Sequence, residues 1–178
     1  MTATPPSSTS SGAVAPGAEL WLLRVGGPDE LDACLARFAG AELEAVLCPP
    51  GGEEERWAAA FAAAHGARLE RRAELARAPD GGAEHERGAR AWAPLEACLA
   101  RGGGSALALL PHETLLAAVA RALALSARGA AALRVDPARA VLLRRGQDGI
   151  ALRRTNARAP ERESGSALPG ASGASGAP

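Results

Sequence analysis

The sequence predicts a single three-layer α/β/α domain. Its sheet is mostly parallel and closes with an antiparallel hairpin at the carboxyl end. Three observations carry this. Short apolar runs alternate with longer stretches of helical periodicity between about residues 19 and 160. Strands separated by helices need crossover connections, and those make parallel pairs covered on both faces. The last two apolar runs are joined only by Gly146-Gln147-Asp148, which is a hairpin signal.

Taken in order, Glu19 to Arg24 is a short buried strand. Pro28-Asp29 opens a helix to about Ala39; Pro suits a first turn, and an acidic residue suits the positive end of the helix. Glu42 to Cys48 is a second strand, broken by Pro49-Pro50-Gly51-Gly52. Glu53 to His65 is a helix with Trp57, Phe61 and Ala64 at core spacing, and Gly66 suits its C-cap. Ala67 to about Leu75 alternates and is mostly polar, as an edge strand would. A long helix from Glu84 to Ala100 contains Pro94, a point where it can kink, and ends at Gly102-Gly103-Gly104. Ser105 to Leu110 is a buried strand, and Pro111-His112 turns into an apolar helix to about Ser126. The hairpin strands run from Ala138 to Arg145 and from Gly149 to Thr155.

Composition bounds the function. Residues 1–18 and 161–178 are mostly Ser, Thr, Pro, Ala and Gly, too little apolar surface to offset the entropy of ordering them. They read as disordered tails around a domain of residues 19–160. The 20 basic and 20 acidic residues cancel, so no strong field points to nucleic acid or a membrane. Every basic residue is Arg, and the chain has neither Lys nor Tyr. That excludes a Schiff-base Lys, the Lys of a nucleotide phosphate loop and a Tyr acid or nucleophile. Cys34, Cys48 and Cys98 are odd in number and lack metal-ligand spacing. They read as thiols in a reducing compartment. No leader pattern and no apolar run of membrane-spanning length is present. The expectation is a cytoplasmic protein with no cofactor and no metal.

In an α/β sheet, ligands sit beyond the carboxyl ends of the strands. Arg24, Cys48 and His112 all fall there. Read with the motifs around them, these residues resemble the histidine phosphatase (phosphoglycerate mutase-like) superfamily. Arg24-Val25-Gly26-Gly27 is similar to the Arg-His-Gly that ends that family's first strand. Cys48-Pro49-Pro50-Gly51 lies near its Ser-Ser-Pro-Leu. Leu110-Pro111-His112 looks like the turn carrying its second active-site His, and Leu133-Arg134-Val135-Asp136-Pro137-Ala138, Val141-Leu142 and Leu152-Arg153-Arg154-Thr155-Asn156 look like its final strands and terminal Asn.

The resemblance implies a site that holds a phosphoryl group between two Arg and two His. It also implies how this chain departs from that site. Val25 stands at the nucleophilic His, and Glu53 at the second phosphate-clamping Arg. Trp57 and Ala58 take the Thr and Ala of the following helix. Alignment on Arg90 puts Gly82 at the proton-donating Glu and Ala83 at the Ser after it; a shift of two residues would bring in Glu84 instead. Glu113 replaces a Gly after His112. The substrate loop is nearly gone and the lid is absent. Arg24 and His112 remain as candidate phosphate-binding residues, with Val25, Gly26, Cys48, Glu53 and Glu113 lining the pocket.

Each of these residues also has a plainer reading. Arg24 could be a strand-end cation paired with Glu53 or Glu113. His112 could be a neighbour of a helix N-cap, and Cys48 a core or turn residue rather than a reactive thiol. His65 and His85 read as solvated helix residues. Trp21, Trp57, Phe61 and Trp92 read as core. Arg144-Arg145 and Arg153-Arg154 read as solvated hairpin faces or a weak surface for an acidic partner. Rival chemistries fit poorly. A Cys phosphatase loop starting at Cys48 would need Arg where Glu54 stands. Glu84-His85-Glu86 has no second His a helical turn away.

The expected function is a catalytically inactive phosphatase-fold protein, a pseudophosphatase with a binding or regulatory role. Its partner would be an unidentified protein or a phosphorylated ligand. The alternative is a phosphomonoesterase or phosphohistidine phosphatase with an atypical site using His112 and Arg24. A third possibility is a purely structural domain with no anion site.

Overall fold

The computed structural model describes residues 18–77, 84–101 and 104–157, with backbone alone at Glu84 and His85. Six strands form one sheet in the order β3-β2-β4-β1-β5-β6. They are β1 (Glu19–Arg24), β2 (Leu43–Cys48), β3 (Arg68–Arg71), β4 (Ser105–Leu110), β5 (Ala140–Gly146) and β6 (Gly149–Ala157). The first four are mutually parallel. β5 runs antiparallel to β1, and β6 antiparallel to β5. The helices are α1 (Leu31–Phe38), α2 (Gly52–His65), α3 (Glu84–Arg101), α4 (His112–Ala122) and α5 (Ala127–Ala132).

The period-two alternation of each strand divides the core between the two faces. Leu20 and Leu22 of β1 pack with Ala91, Leu95 and Leu99 of α3 and with Leu115 and Val119 of α4. Trp21 and Leu23 face the other way, into Cys34 and Phe38 of α1 and Trp57 and Phe61 of α2. Phe38 sits between Trp21 and Phe61, edge-to-face with each at 5.6 Å between ring centroids. Leu107 and Leu109 of β4 join this second cluster, while Ala108 and Leu110 join the first. The sheet is therefore covered on both faces, as a parallel sheet requires.

The predicted elements are present, with two changes. Strand character stops at Arg71, and residues Ala73–Leu75 form a 3-10 turn. Leu75 leaves the edge to become fully buried on the α3 side, so burial of one large side chain overrides the alternating pattern. The helix expected to reach Ser126 ends at Ala122, and Ala124 has φ of 50°. A separate helix, α5, follows, capped by Ser126 Oγ accepting from Gly129 N at 3.2 Å. That Ser is a good N-cap residue, a signal obscured by the apolar run around it. Gly66 caps α2 in the left-handed region at φ of 62°, as expected. Pro94 lies inside α3, which continues through it. Ala18, placed with the amino-terminal tail by composition, is buried, and its carbonyl accepts from Arg145 N at 3.0 Å.

Gly88 of α3 lies where α4 crosses. A Cβ there would stand 2.8 Å from the Ala117 carbonyl oxygen, a backbone atom that cannot rotate away. Gly88→Ala is therefore expected to destabilise the fold by about 1–3 kcal/mol, against the usual gain of replacing Gly in a helix. A urea unfolding midpoint at or above that of the wild type would contradict this.

Candidate functional site

The parallel register pairs Arg24 with Leu110. The chain therefore leaves β1 and β4 at the same level, on adjacent strands. From β4 it passes through Pro111 directly into α4, whose first residue is His112. From β1 it enters the Val25-Gly26-Gly27 turn. This places the two residues singled out in the sequence at one end of the sheet centre.

Arg24 is braced by the segment that precedes β5. Its Nη1 donates to the Val135 carbonyl at 2.6 Å. Its backbone N donates to Arg139 O, and its carbonyl accepts from Ala138 N, both at 3.0 Å. His112 is half-buried. Burial holds its pKa below the ordinary imidazole value, and the Arg24 guanidinium pushes the same way. Arg134 adds to that push and the Glu113 carboxylate opposes it. Exposed charges are screened over a Debye length of about 8–10 Å, and Arg24 and His112 lie at the ends of adjacent strands.

The carboxylates have partners other than Arg24. Glu53 accepts from Trp57 Nε1 at 3.2 Å and pairs with Arg56, both at helical spacing within α2. Glu113 pairs with Arg77 at 2.9 Å. The pairing of Arg24 with Glu53 or Glu113, considered from sequence, is not formed, because each Glu has another partner. Glu53, Glu54 and Glu55 together make the first turn of α2 acidic. That is favourable for the helix dipole but repels an anion on this side of the strand ends. Glu55 also accepts from Gly51 N and Arg71 Nε, and these bonds lower its pKa.

The remaining candidates fall into place individually. Val25 is half-buried and packs against the Trp21–Phe38–Trp57 cluster. A Cβ on Gly26 would stand 2.2 Å from Glu30 Oε2. The missing side chain lets Glu30 fold back to accept from Gly27 N at 2.8 Å. Cys48 is fully buried, and that burial, with the Glu55 carboxylate, pushes its thiol up to about 11. It is a core residue rather than a reactive thiol. Gly82 and Ala83 lie outside the described residues, as does the side chain of Glu84.

His65, expected to be a solvated helix residue, stacks on Phe61 and bonds through Nδ1 to Ala41 O at 3.0 Å. Asn156 Oδ1 accepts from Asp136 N at 2.9 Å, tying the end of β6 to the segment that braces Arg24. Three further residues were not singled out in the sequence. Arg134 approaches His112 through its charge, Val135 orients Arg24, and Thr114 is fully buried with its hydroxyl unpartnered among the described residues. The resemblance includes Arg134 and Val135 in the segment before the final strands, but no local pattern shows the contact of Val135 with Arg24, 111 residues apart in sequence.

A cavity of about 460 Å³ lies among α3, α4 and α5, lined by Gly88, Ala117, Ala120, Arg121, Leu125 and Ala130 among others. None of its lining residues belongs to the strand-end site. Among the described residues no group of three or more His, Cys, Asp or Glu could hold a metal ion. No helix of the described residues is long and apolar enough to cross a membrane.

No protein-family model matches the sequence, and no curated protein matches it. Solved structures do. The alpha-ribazole phosphatase from Shigella flexneri superposes with a TM-score of 0.67 at 15% identity, covering 82% of this chain and 99% of that one. A mycobacterial glucosyl-3-phosphoglycerate phosphatase gives a TM-score of 0.69 at 15% identity, over 78% of this chain and 98% of that one. The chain has the histidine phosphatase fold. A phosphoglycerate mutase from Plasmodium falciparum extends the likeness, with a TM-score of 0.58 at 12% identity over 77% and 89% of the two chains. At these identities the likeness is one of fold. Within the histidine phosphatase fold, function has to be argued from the side chains at the strand ends.

Proposed function

We propose that the protein is a catalytically inactive histidine phosphatase-fold protein that binds a phosphoryl group at Arg24 and His112. The ligand would be a phosphorylated molecule or a phosphorylated protein partner. One observation carries the reading. Arg24 is fixed by Val135 O and acts on a half-buried His112, while Glu53 and Glu113 are held by other partners. A guanidinium and an imidazole so placed can donate charge-assisted hydrogen bonds to an oxyanion. Val25, at the position that corresponds in the resemblance to the nucleophile, has no lone pair with which to accept the phosphoryl group.

A second reading has one observation in its favour. A lowered pKa keeps His112 neutral near pH 7, and neutral imidazole is the nucleophilic form. An atypical phosphomonoesterase would use it with Arg24. That reading also needs a proton donor, and the nearest acidic residue in sequence, Glu113, is engaged by Arg77.

Calorimetry tests the first reading. Inorganic phosphate and sulfate should both bind, and His112→Ala should weaken binding by about tenfold or more, the usual effect of losing a hydrogen bond to a charged group. A bound anion favours the imidazolium. Sulfate affinity should therefore rise as pH falls through the His range, with proton uptake on binding. Sulfate itself does not titrate there. Without ligand the sign reverses: unfolded His takes up the proton first, so stability should decline as pH falls below about 6.5. Absence of binding to either anion at low salt would refute the proposal.

A further inference from the structure

We propose that Arg134 is the second guanidinium of this anion site, replacing the cation absent at Glu53; the inference rests on the phosphate-binding reading above. The backbone geometry points there, and the electrostatics agree with it. The Val135 carbonyl that receives Arg24 Nη1 at 2.6 Å belongs to the very next residue, so the Arg134 backbone is carried to the site by the bond that orients Arg24. The charge of Arg134 is also felt at His112, together with that of Arg24.

The side chain is held in place from one side. Its Nη1 donates to Ala131 O at 2.7 Å and Leu133 O at 2.9 Å, so it lies against the carboxyl end of α5, where a cation is favoured. Nη2 and Nε make no bond to another described residue, and the side chain is exposed. A guanidinium has five donors in a planar fork, so one nitrogen can cap the helix while the other edge takes an oxyanion. The charge balance agrees. Among the described residues, Arg24 and Arg134 act on His112 as cations, and the carboxylate that opposes them, Glu113, is paired with Arg77. On the α2 side the helix opens with Glu53, Glu54 and Glu55, of which Glu53 pairs with Arg56 and Glu55 with Arg71.

The experiment is calorimetric titration of the full chain with inorganic phosphate, paired with an NMR titration of His112 without ligand. Arg134→Ala should weaken phosphate binding about tenfold or more and raise the His112 pKa, since a neighbouring positive charge is gone. Arg134→Lys should restore the His112 titration but only part of the affinity, because it keeps the charge and loses the fork. Arg128→Ala, on the exposed side of α5, should change neither. Wild-type affinity in Arg134→Ala overturns the inference, as does a His112 titration that does not move. If phosphate binding is lost in His112→Ala but untouched in Arg134→Ala, only this inference falls. If the wild type binds no phosphate, the underlying reading falls with it.

Discussion

Purified protein is expected to leave simple phosphomonoesters such as p-nitrophenyl phosphate intact, at a rate indistinguishable from buffer. Two changes act together on the proposed reading. A phosphoryl group needs a nucleophile with a lone pair in line with the leaving group, and Val25 is an alkyl side chain. The transition-state charge needs preorganised donors. Losing one costs about 3–4 kcal/mol, and a carboxylate in its place costs more. Glu53 is such a carboxylate, set in the acidic first turn of α2. Removing a nucleophile from a site that works as a unit lowers turnover by something on the order of 10⁶-fold. Together, on the proposed reading, these would leave no efficient route. The double variant Val25→His with Glu53→Arg should gain measurable hydrolysis over the wild type, though only in part. Glu53 is also the acceptor for the Trp57 indole N–H and the partner of Arg56, so the second substitution disturbs the helix that carries it. Efficient turnover by the wild type, abolished in His112→Ala, would establish the phosphomonoesterase reading instead.

Phe38→Ala is expected to have the largest effect on stability, about 3–5 kcal/mol. Phe38 is fully buried and makes edge-to-face contact with Trp21 of β1 on one side and Phe61 of α2 on the other. Removing the ring leaves a cavity between a central strand and both helices of that face, and it forfeits two aromatic pairs worth about 0.5–1.5 kcal/mol each beyond their area. Against a total stability of about 5–15 kcal/mol, that is a large fraction. The melting temperature should fall by something on the order of 10 °C. Cys34, fully buried one turn away in α1, should become accessible to a thiol reagent in the variant and stay protected in the wild type. A melting temperature within a degree or two of the wild type would show that this aromatic cluster does not hold the face together.

Much of the fold was legible because its signals are local. The ELWLLR strand, the Pro-Pro-Gly-Gly break after Cys48, the Gly66 cap and the Gly146–Gly149 hairpin each combine a hydrophobic period with a residue that only certain backbone conformations accept. The departures arose where tertiary burial competed with local pattern. Leu75 left the edge strand to enter the core, and the apolar stretch from Leu115 to Ala132 hid the break between α4 and α5. The site was legible only in part. Arg24 and His112 could be placed by counting strand ends, since both lie where a parallel sheet presents its ligands. Their surroundings could not. Val135 and Arg134 reach the site from the segment before β5, and the partners of Glu53 and Glu113 depend on helical spacing and on Arg77.

The most direct measurement is ³¹P NMR of a phosphomonoester incubated with the protein at low salt. If the site binds a phosphoryl group without transferring it, the ester resonance should shift or broaden as protein is added. The shift should vanish in His112→Ala, and the ester intensity should stay constant over hours. Growth of an inorganic phosphate resonance that requires His112, or an ester resonance that the protein leaves unperturbed, would contradict the account.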